Sequence, residues 1–470
     1  MGDLSILQAG LQAGMMSRSM GVKLIVVCAL ALMMTIPAVF VAWLVGDRTR
    51  RAKDVANEIS SYVGGQQTFL GPTLAVPYDI APQSPAETAK HGTYLVFPAQ
   101  ATANVKTHTE ERHRALFKVP VFNADLNLAA AFDLTGVPSE APQGAQLDWS
   151  RAEILVGVSD ARGALADALL TMNGKATTLV PAESAADLTI GGDQDQQTRL
   201  TLFGVTAAGV AKPNAQFSVT SVLRFSGAQR IAVLAYGKTT HLTEEGDWPN
   251  PGFEGGSLPV SRSIGNKGFS AEWTVPYIAR GVRAEGQSDG ITGLGATALG
   301  VSFVELVDPY QSVNRSLKYV PLFLGLVFLS YFIFEVTTCK RVHPAQYVLV
   351  GVGQLIFYLL LLSLAERTGF DFGFLVAGVA TVTLLAANAG WIFASRKEGI
   401  KALTIFALLY ALIYMLLRLE DNALLVGAIA SFVAIAAVMY FTRKIDWYSS
   451  IPVKGVPGEA INSMTAKGTS

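Results

Sequence analysis

The chain has 470 residues with 36 basic and 36 acidic side chains, so its formal net charge is zero; 51% of it is hydrophobic and only 15% charged. That balance suits a protein partly dissolved in lipid, and because a nucleic-acid-binding surface normally shows a basic excess, which is missing here, no nucleic-acid partner is expected. Its two cysteines, Cys28 and Cys339, leave the long polar stretch between them without a thiol, which excludes an internal disulfide or a cysteine-built zinc site there.

Six apolar runs punctuate the chain, at about 23–45, 319–336, 345–364, 372–394, 402–417 and 423–441. At about 1.5 Å per residue, twenty residues cover the ~30 Å hydrocarbon core, and the fifth run is the shortest. The first run exceeds a typical signal-peptide core and no small-x-small site follows it, so it reads as an uncleaved signal anchor. Pro37 within it predicts a kink. Pro321 and Pro344 fall in first turns, where a missing N–H costs nothing.

Lysine and arginine in short loops set orientation. With the N-terminus inside, the cytoplasmic side collects Arg18, Lys23, Lys340, Arg341, Arg396, Lys397, Lys401, Arg443 and Lys444, against Arg367 and Arg418 outside. Arg48, Arg50, Arg51, Lys53, Arg315 and Lys318 flank the long polar stretch and bring the count to nine against eight. Long domains translocate largely regardless of charge, so the short loops favour an inside N-terminus.

After the first run, DRTRRAKDVANEISSYV places Val55, Ile59 and Tyr62 at spacings of four and three, which predicts a helical stalk. GGQQTFLGPTLAVPY then reads as a break, because Gly64, Gly65, Gly71 and Pro72 end helices and start turns. Beyond it the period becomes two. In AQFSVTSVLRFSG, Phe217, Val219, Leu223 and Phe225 share one face; TRLTLFGV, RIAVLAYGKTTHL, GFSAEWTVPYIA and ALFKVPVF behave alike. These predict strands with one buried face. SDARGALADALL reads as a helix capped by Ser159 or Asp160. Polarity over 184–197 marks the best internal boundary of a stretch that reads as one domain or two.

Reactive constellations are sparse. His108 and His113, five apart, point to opposite faces of a strand or about 140° apart on a helix. Asp193 and Asp195 sit in a glycine turn, but the sixth and twelfth positions of a calcium loop would be Thr198 and Gly204. Motifs of the forms G-x-S-x-G, H-E-x-x-H and the P-loop are absent. The expectation is a protein that is not an enzyme and carries no cofactor or metal.

Inside the apolar runs, Gln354 lies near mid-bilayer, where an unpaired amide is expensive, so it should face a neighbouring helix. With Asn388 it is a candidate intramembrane polar contact, either interhelical glue or the lining of a solute path. Ala377 with Thr381, Ala386 with Gly390, and Gly427 with Ser431 form small-xxx-small packing pairs. Glu335, Glu366, Arg367, Arg418, Glu420 and Asp421 lie at run ends, where an interfacial position suffices. In the polar stretch, Trp248, Phe253, Phe269 and Trp273 form a candidate contact surface for an envelope partner, although such aromatics are more often core.

Several of these stretches are shared with a known family. HPAQYVLVGVGQLIFYLLLLSLAERTGF, preceded by NRSLKYVPLF and YFIFE, together with GPTLAVPY, KVPVFNADL, DWSRAEILVGVSDARG and WPNPGFEGGSLPVSRSIGNKGFSAEW, resembles the CreD family of inner-membrane, cell-envelope integrity proteins. The likeness runs from about Ser60 to the last apolar run, in matching order. Arg367 stands where the family pattern leads one to expect histidine, and arginine stays charged, so a proton role there is not carried over. The resemblance implies a Gram-negative inner-membrane protein with a large periplasmic domain, five spans after it, and a role in envelope integrity or stress response; it supplies no catalytic residue set.

The resulting expectation is an α+β membrane protein. It comprises a cytoplasmic tail (1–22), a transmembrane signal anchor (23–45), a large, mainly antiparallel β periplasmic domain with a helical stalk (46–318), a bundle of five transmembrane helices (319–441) and a cytoplasmic tail (442–470). Its expected partners are the lipid bilayer and a periplasmic or envelope protein or glycan; its oligomeric state is not legible. Transport of a small or lipid-like solute through the bundle is the alternative function.

Overall fold

The computed structural model describes residues 20–82, 88–114, 117–183, 188–190, 198–303, 309–338, 340–418 and 423–443. They fall into two compact units, Ala52–Leu306 and a unit formed from Met1–Arg51 with Val307–Ser470. The protein is thus a mixed α+β chain with an apolar N-terminal helix, a β-rich middle and apolar helices after it.

The β-rich unit is carried by β1 (Gln67–Ile80), β2 (Gln100–Arg114), β3 (Phe117–Asp133), β4 (Glu153–Val158), β5 (Thr201–Thr206), β6 (Gln216–Ala228), β7 (Arg230–Leu234), β8 (Thr239–Gly246), β9 (Ser261–Gly265), β10 (Gly268–Val275) and β11 (Ala298–Phe303). Among the described residues, one ten-stranded sheet has the core order β11-β7-β1-β4-β5, and an eight-stranded sheet runs β9-β10-β8-β2-β3-β6. Pairing is antiparallel except β1 with β7 and β8 with β2. Both sheets contribute to one continuous apolar core, including Phe69, Leu128, Val156, Phe225 and Trp273.

Alternation is clearest in β6, where Phe217, Val219, Leu223 and Phe225 are buried between exposed neighbours. RIAVLAYGKTTHL is not one strand. It divides into β7 and β8, which belong to different sheets, because Tyr236 and Gly237 redirect the chain between them. β6 likewise hands over to β7 through the single residue Gln229, at φ +66°.

Two expectations are corrected here. GGQQTFLGPTLAVPY does end the stalk, but Gly71 and Pro72 do not make a turn: they lie inside β1, at a register shift between Leu70 and Thr73. A Cβ on Gly71 would fall 2.5 Å from the Tyr236 ring, so glycine is there for close packing rather than for turning. The second is SDARGALADALL. Asp160 does cap, accepting from Arg162 N at 3.0 Å, but it caps a single 3₁₀ turn, Ala161–Gly163. Beyond that turn Leu165 N donates to Arg224 O at 2.9 Å and Leu169–Met172 pairs with β6. Backbone pairing to a sheet edge has overridden local helix propensity. Ser159, by contrast, ties β1 to this corner by accepting from Thr68 N at 2.9 Å.

In the other unit, α1 (Met20–Met33) and α2 (Thr35–Tyr62) replace the first apolar run and the stalk. The break at Met34 is explained by Pro37, which has no N–H to give to Met33 O four residues back. From Ala52 on, α2 belongs to the β-rich unit, where Ala56, Ile59 and the following Val63 pack on Val119, Val121 and Ala228. After the β-rich unit, α3 (Pro309–Lys318) buries Val313, Ser316 and Leu317 on one face. Then come α4 (Val320–Thr338), α5 (Pro344–Thr368), α6 (Phe370–Ile392), α7 (Arg396–Arg418) and α8 (Ala423–Thr442). Five described helical segments are long and apolar enough to cross a membrane: Gly21–Tyr62, α4, α5, α6 and α7. The fifth run, shortest in sequence, extends to 23 residues because Arg396 to Lys401 join its helix.

Candidate functional site

The apolar run that becomes α4 ends in a glutamate. Glu335, near the run's end, is not left exposed there: it is buried, with 1% of its side chain exposed. The reason is the return of the chain. Residues 340–343 fold back beneath it, Pro344 starts α5 with His343 as its cap, and α1 closes the third side. Glu335 Oε1 accepts from Val342 N at 2.8 Å and from the Lys23 ammonium of α1, while Oε2 accepts from the Tyr347 hydroxyl at 3.1 Å. A buried carboxylate with one cation and two further donors has its charge compensated, which is the condition for tolerating it in a low-dielectric interior. Lys23 reaches it with its stem along the apolar helix and its head kept partly accessible. The adjacent Lys340 ammonium donates to Phe393 O, fixing the same loop to the end of α6.

A second polar chain crosses the bundle nearby. Tyr331 donates to Leu385 O at 2.7 Å and accepts from Asn388 Nδ2 at 3.3 Å, so Asn388 serves an α4–α6 contact. Its ring lies 6.3 Å from that of Tyr347, placing the two chains side by side. Gln354 is fully buried on α5 and faces α4, with Nε2 3.5 Å from Phe323 O. Its Oε1 has no hydrogen-bond partner among the described residues, and neither has the Tyr358 hydroxyl one turn further along α5. Of the packing pairs, Ala377, Thr381 and Ala386 are buried, and Gly390 meets Gly399 of α7 so closely that a Cβ on Gly399 would lie 3.3 Å from the Gly390 Cα.

The proposed aromatic contact surface is corrected. Trp248, Phe269 and Trp273 are buried and Phe253 is packed against the same core, with its ring 6.0 Å from Trp273 and 6.2 Å from Phe269. Strand alternation explains it: Phe269, Ala271, Trp273 and Val275 are the inward positions of β10. What that segment does expose is its apolar edge, Leu258, Val260 and Ile264, the last on edge strand β9.

The histidines do not converge. His108 pairs with Asp247, His91 Nδ1 lies 2.5 Å from Asp79, His113 is 3.9 Å from Glu111 and His241 is 3.1 Å from Thr274 Oγ1. Among the described residues no group of three His, Cys, Asp or Glu side chains could hold a metal. Asp193 and Asp195 lie outside the described residues.

The sequence model of the family described as inner membrane protein CreD matches residues 19–448. The chain belongs to the CreD family. Inner membrane protein CreD of Escherichia coli (strain K12) is 29% identical to it over 434 residues, covering 90% of this chain and 92% of that protein. As a CreD family member with several apolar helices, the chain is a multi-pass inner-membrane protein. Sequence reading missed the Lys23–Glu335–Tyr347 cluster in this CreD chain. The available signal was the pairing of opposite charges, one opening the first apolar run and one closing the second.

Proposed function

We propose that the protein supports envelope integrity or the envelope stress response without catalysing a reaction, its β-rich unit lying in the periplasm and both termini in the cytoplasm. In this reading the β-rich unit binds or organises an envelope protein or glycan, and the helices anchor it. The observation that carries it is the Glu335 cluster. Its donors and acceptors are spent on joining α1, α4 and α5, which suits a fixed anchor around the helix that leads into the β-rich unit. The short-loop arginines and lysines support the orientation. In the β-rich unit, Leu258, Val260 and Ile264 are among the exposed apolar residues open to a partner.

Photo-crosslinkers at those three positions in intact cells test the binding role. An envelope component caught reproducibly is the expected result, and a blank at all three with normal protein abundance removes it. Orientation is tested separately: external protease should reach the β-rich unit in spheroplasts and spare it in inverted vesicles.

A second reading, passage of a small or lipid-like solute through the bundle, is favoured by one observation. Gln354 Oε1 and the Tyr358 hydroxyl are buried without partners among the described residues, and such atoms call for a ligand or water. Gln354→Leu separates the readings: loss of function at normal abundance supports a path, whereas retained function supports interhelical glue.

A further inference from the structure

Helices α6 and α7 do not pack evenly along their length. At the turn that joins them, Gly390 and Gly399 bring the two backbones into contact. Further along, Phe374, Tyr410 and Tyr414 stand between the helices, with the Phe374 and Tyr414 rings 5.2 Å apart, and ring-sized side chains hold backbones at a greater separation than glycines do. The result is a groove of about 780 Å³ whose walls are almost wholly apolar, including Leu375, Val379, Leu403, Ala407 and Ala411. That volume is within the ~300–1,000 Å³ typical of small-molecule sites.

The groove has one polar end. Asp371, on the first turn of α6, accepts from the Tyr414 hydroxyl at 3.0 Å and pairs with the Arg418 guanidinium, which lies 5.8 Å over the Tyr414 ring. Asp371 and Arg418 are each about half exposed, so the pair is open to a further partner. Along α6 the lining runs from Asp371 to Thr383, twelve residues or about 18 Å of helix. Half of a ~30 Å hydrocarbon core is about 15 Å. The groove therefore starts at a charged interface and ends near mid-bilayer, the depth of one leaflet.

We propose that this groove binds one phospholipid with a zwitterionic phosphoethanolamine head group. An acyl chain lies between α6 and α7, Arg418 receives the phosphate, and Asp371 with Tyr414 receives the ammonium. The head-group choice follows from charge: among the described residues, Asp371 of the lining and Arg418 paired with it offer one anion and one cation, so a zwitterion meets both with opposite sign, whereas an anionic head meets the Asp371 carboxylate. The assignment rests on the groove alone and is independent of which way the chain crosses the membrane.

The test is native mass spectrometry of the full-length protein, titrated with phosphatidylethanolamine and phosphatidylglycerol of identical acyl chains. The wild type should retain one phosphatidylethanolamine in preference to phosphatidylglycerol. Arg418→Ala should weaken that binding about tenfold, the loss expected for one charge-assisted hydrogen bond. Asp371→Asn should shift the preference toward phosphatidylglycerol, and Ala411→Trp, which fills the groove from an exposed position, should abolish retention. Leu408→Trp, on the exposed surface outside the groove lining, should leave it unchanged and so controls for folding. Equal retention of both lipids with no response to Asp371→Asn or Ala411→Trp would mean general annular lipid and overturn the proposal. So would a lipid-free dimer disrupted by Ala411→Trp, which would identify the occupant as a second copy of the chain.

Discussion

Each of the two units buries a glutamate to about 1% exposure, and they resolve the cost in opposite ways. In the helices, Glu335 keeps its charge company with Lys23, Tyr347 and the Val342 amide. In the β-rich unit, Glu244 is an inward position of β8, between Val105 of β2 and Ala271 of β10, and its Oε1 has no partner among the described residues. Burial alone pushes its carboxyl up to about 8. One unit neutralises a carboxylate with a lysine carried in from a distant helix; the other neutralises it with a proton. The contrast separates a site held by geometry from one held by pH.

The largest expected effect breaks the β-rich side of that contrast. A carboxyl whose folded value lies above its ordinary 4.5 binds a proton in the native state that the unfolded chain releases, so stability is fully present below about pH 4.5 and falls as pH rises to about 8. The gap corresponds to on the order of 5 kcal/mol. Glu244→Gln removes the titration and should flatten the slope, leaving the variant more stable than the wild type at pH 8 and similar at pH 4.5. Urea unfolding of the β-rich unit across that range, followed by tryptophan fluorescence, checks this. A wild type whose midpoint does not move with pH would show that Glu244 finds a partner.

The helical side breaks differently. Glu335→Ala leaves the Lys23 ammonium without its counter-charge and should cost about 3–5 kcal/mol, the usual penalty for removing one member of a buried pair. Replacing both residues by leucine should recover most of that loss, since an apolar pair carries no desolvation cost. Thermal unfolding of the two variants in nanodiscs at one pH separates them. A double variant no better than the single one would mean that the Tyr347 and Val342 contacts, rather than the charges, hold the loop.

How far these sites were legible in the sequence follows from their periodicity. The apolar runs, the stalk and alternating strands such as β6 announce themselves because one face is wet and the other dry. β1 does not, since ten successive residues from Gln67 are buried and a strand covered on both faces shows no alternation. Its Gly71 and Pro72 then read as a turn, when the glycine is required by Tyr236. Gln354 was visible because a lone amide in an apolar run needs a partner; Glu335 was hidden because its partners come from α1 and from a loop whose fold-back no local pattern records. Trp273 and its neighbours show the converse: aromatic enrichment marks either a surface or a core, and only the inward register of β10 decides between them.

A smaller effect sharpens the contrast within the helices. Gln354 makes one long contact to Phe323 O, so Gln354→Leu should change stability by only about 1 kcal/mol, well below the Glu335 loss. Denaturation of both variants in the same nanodiscs ranks them. A penalty as large as that of Glu335→Ala would imply that the amide satisfies more than the Phe323 carbonyl and the Tyr358 neighbourhood contains an ordered ligand.

The smallest effect lies at the edge of the β-rich unit. Val260 is 76% exposed, so Val260→Ser removes little packing and should leave stability within about 0.5 kcal/mol. Trp273→Ala, in the same segment but inward, should cost about 3–5 kcal/mol. The pair therefore tests whether this segment has a binding face distinct from its packing face: a partner lost with Val260→Ser at unchanged unfolding midpoint assigns recognition to the edge beside β9, whereas loss only with Trp273→Ala traces it to the integrity of the core.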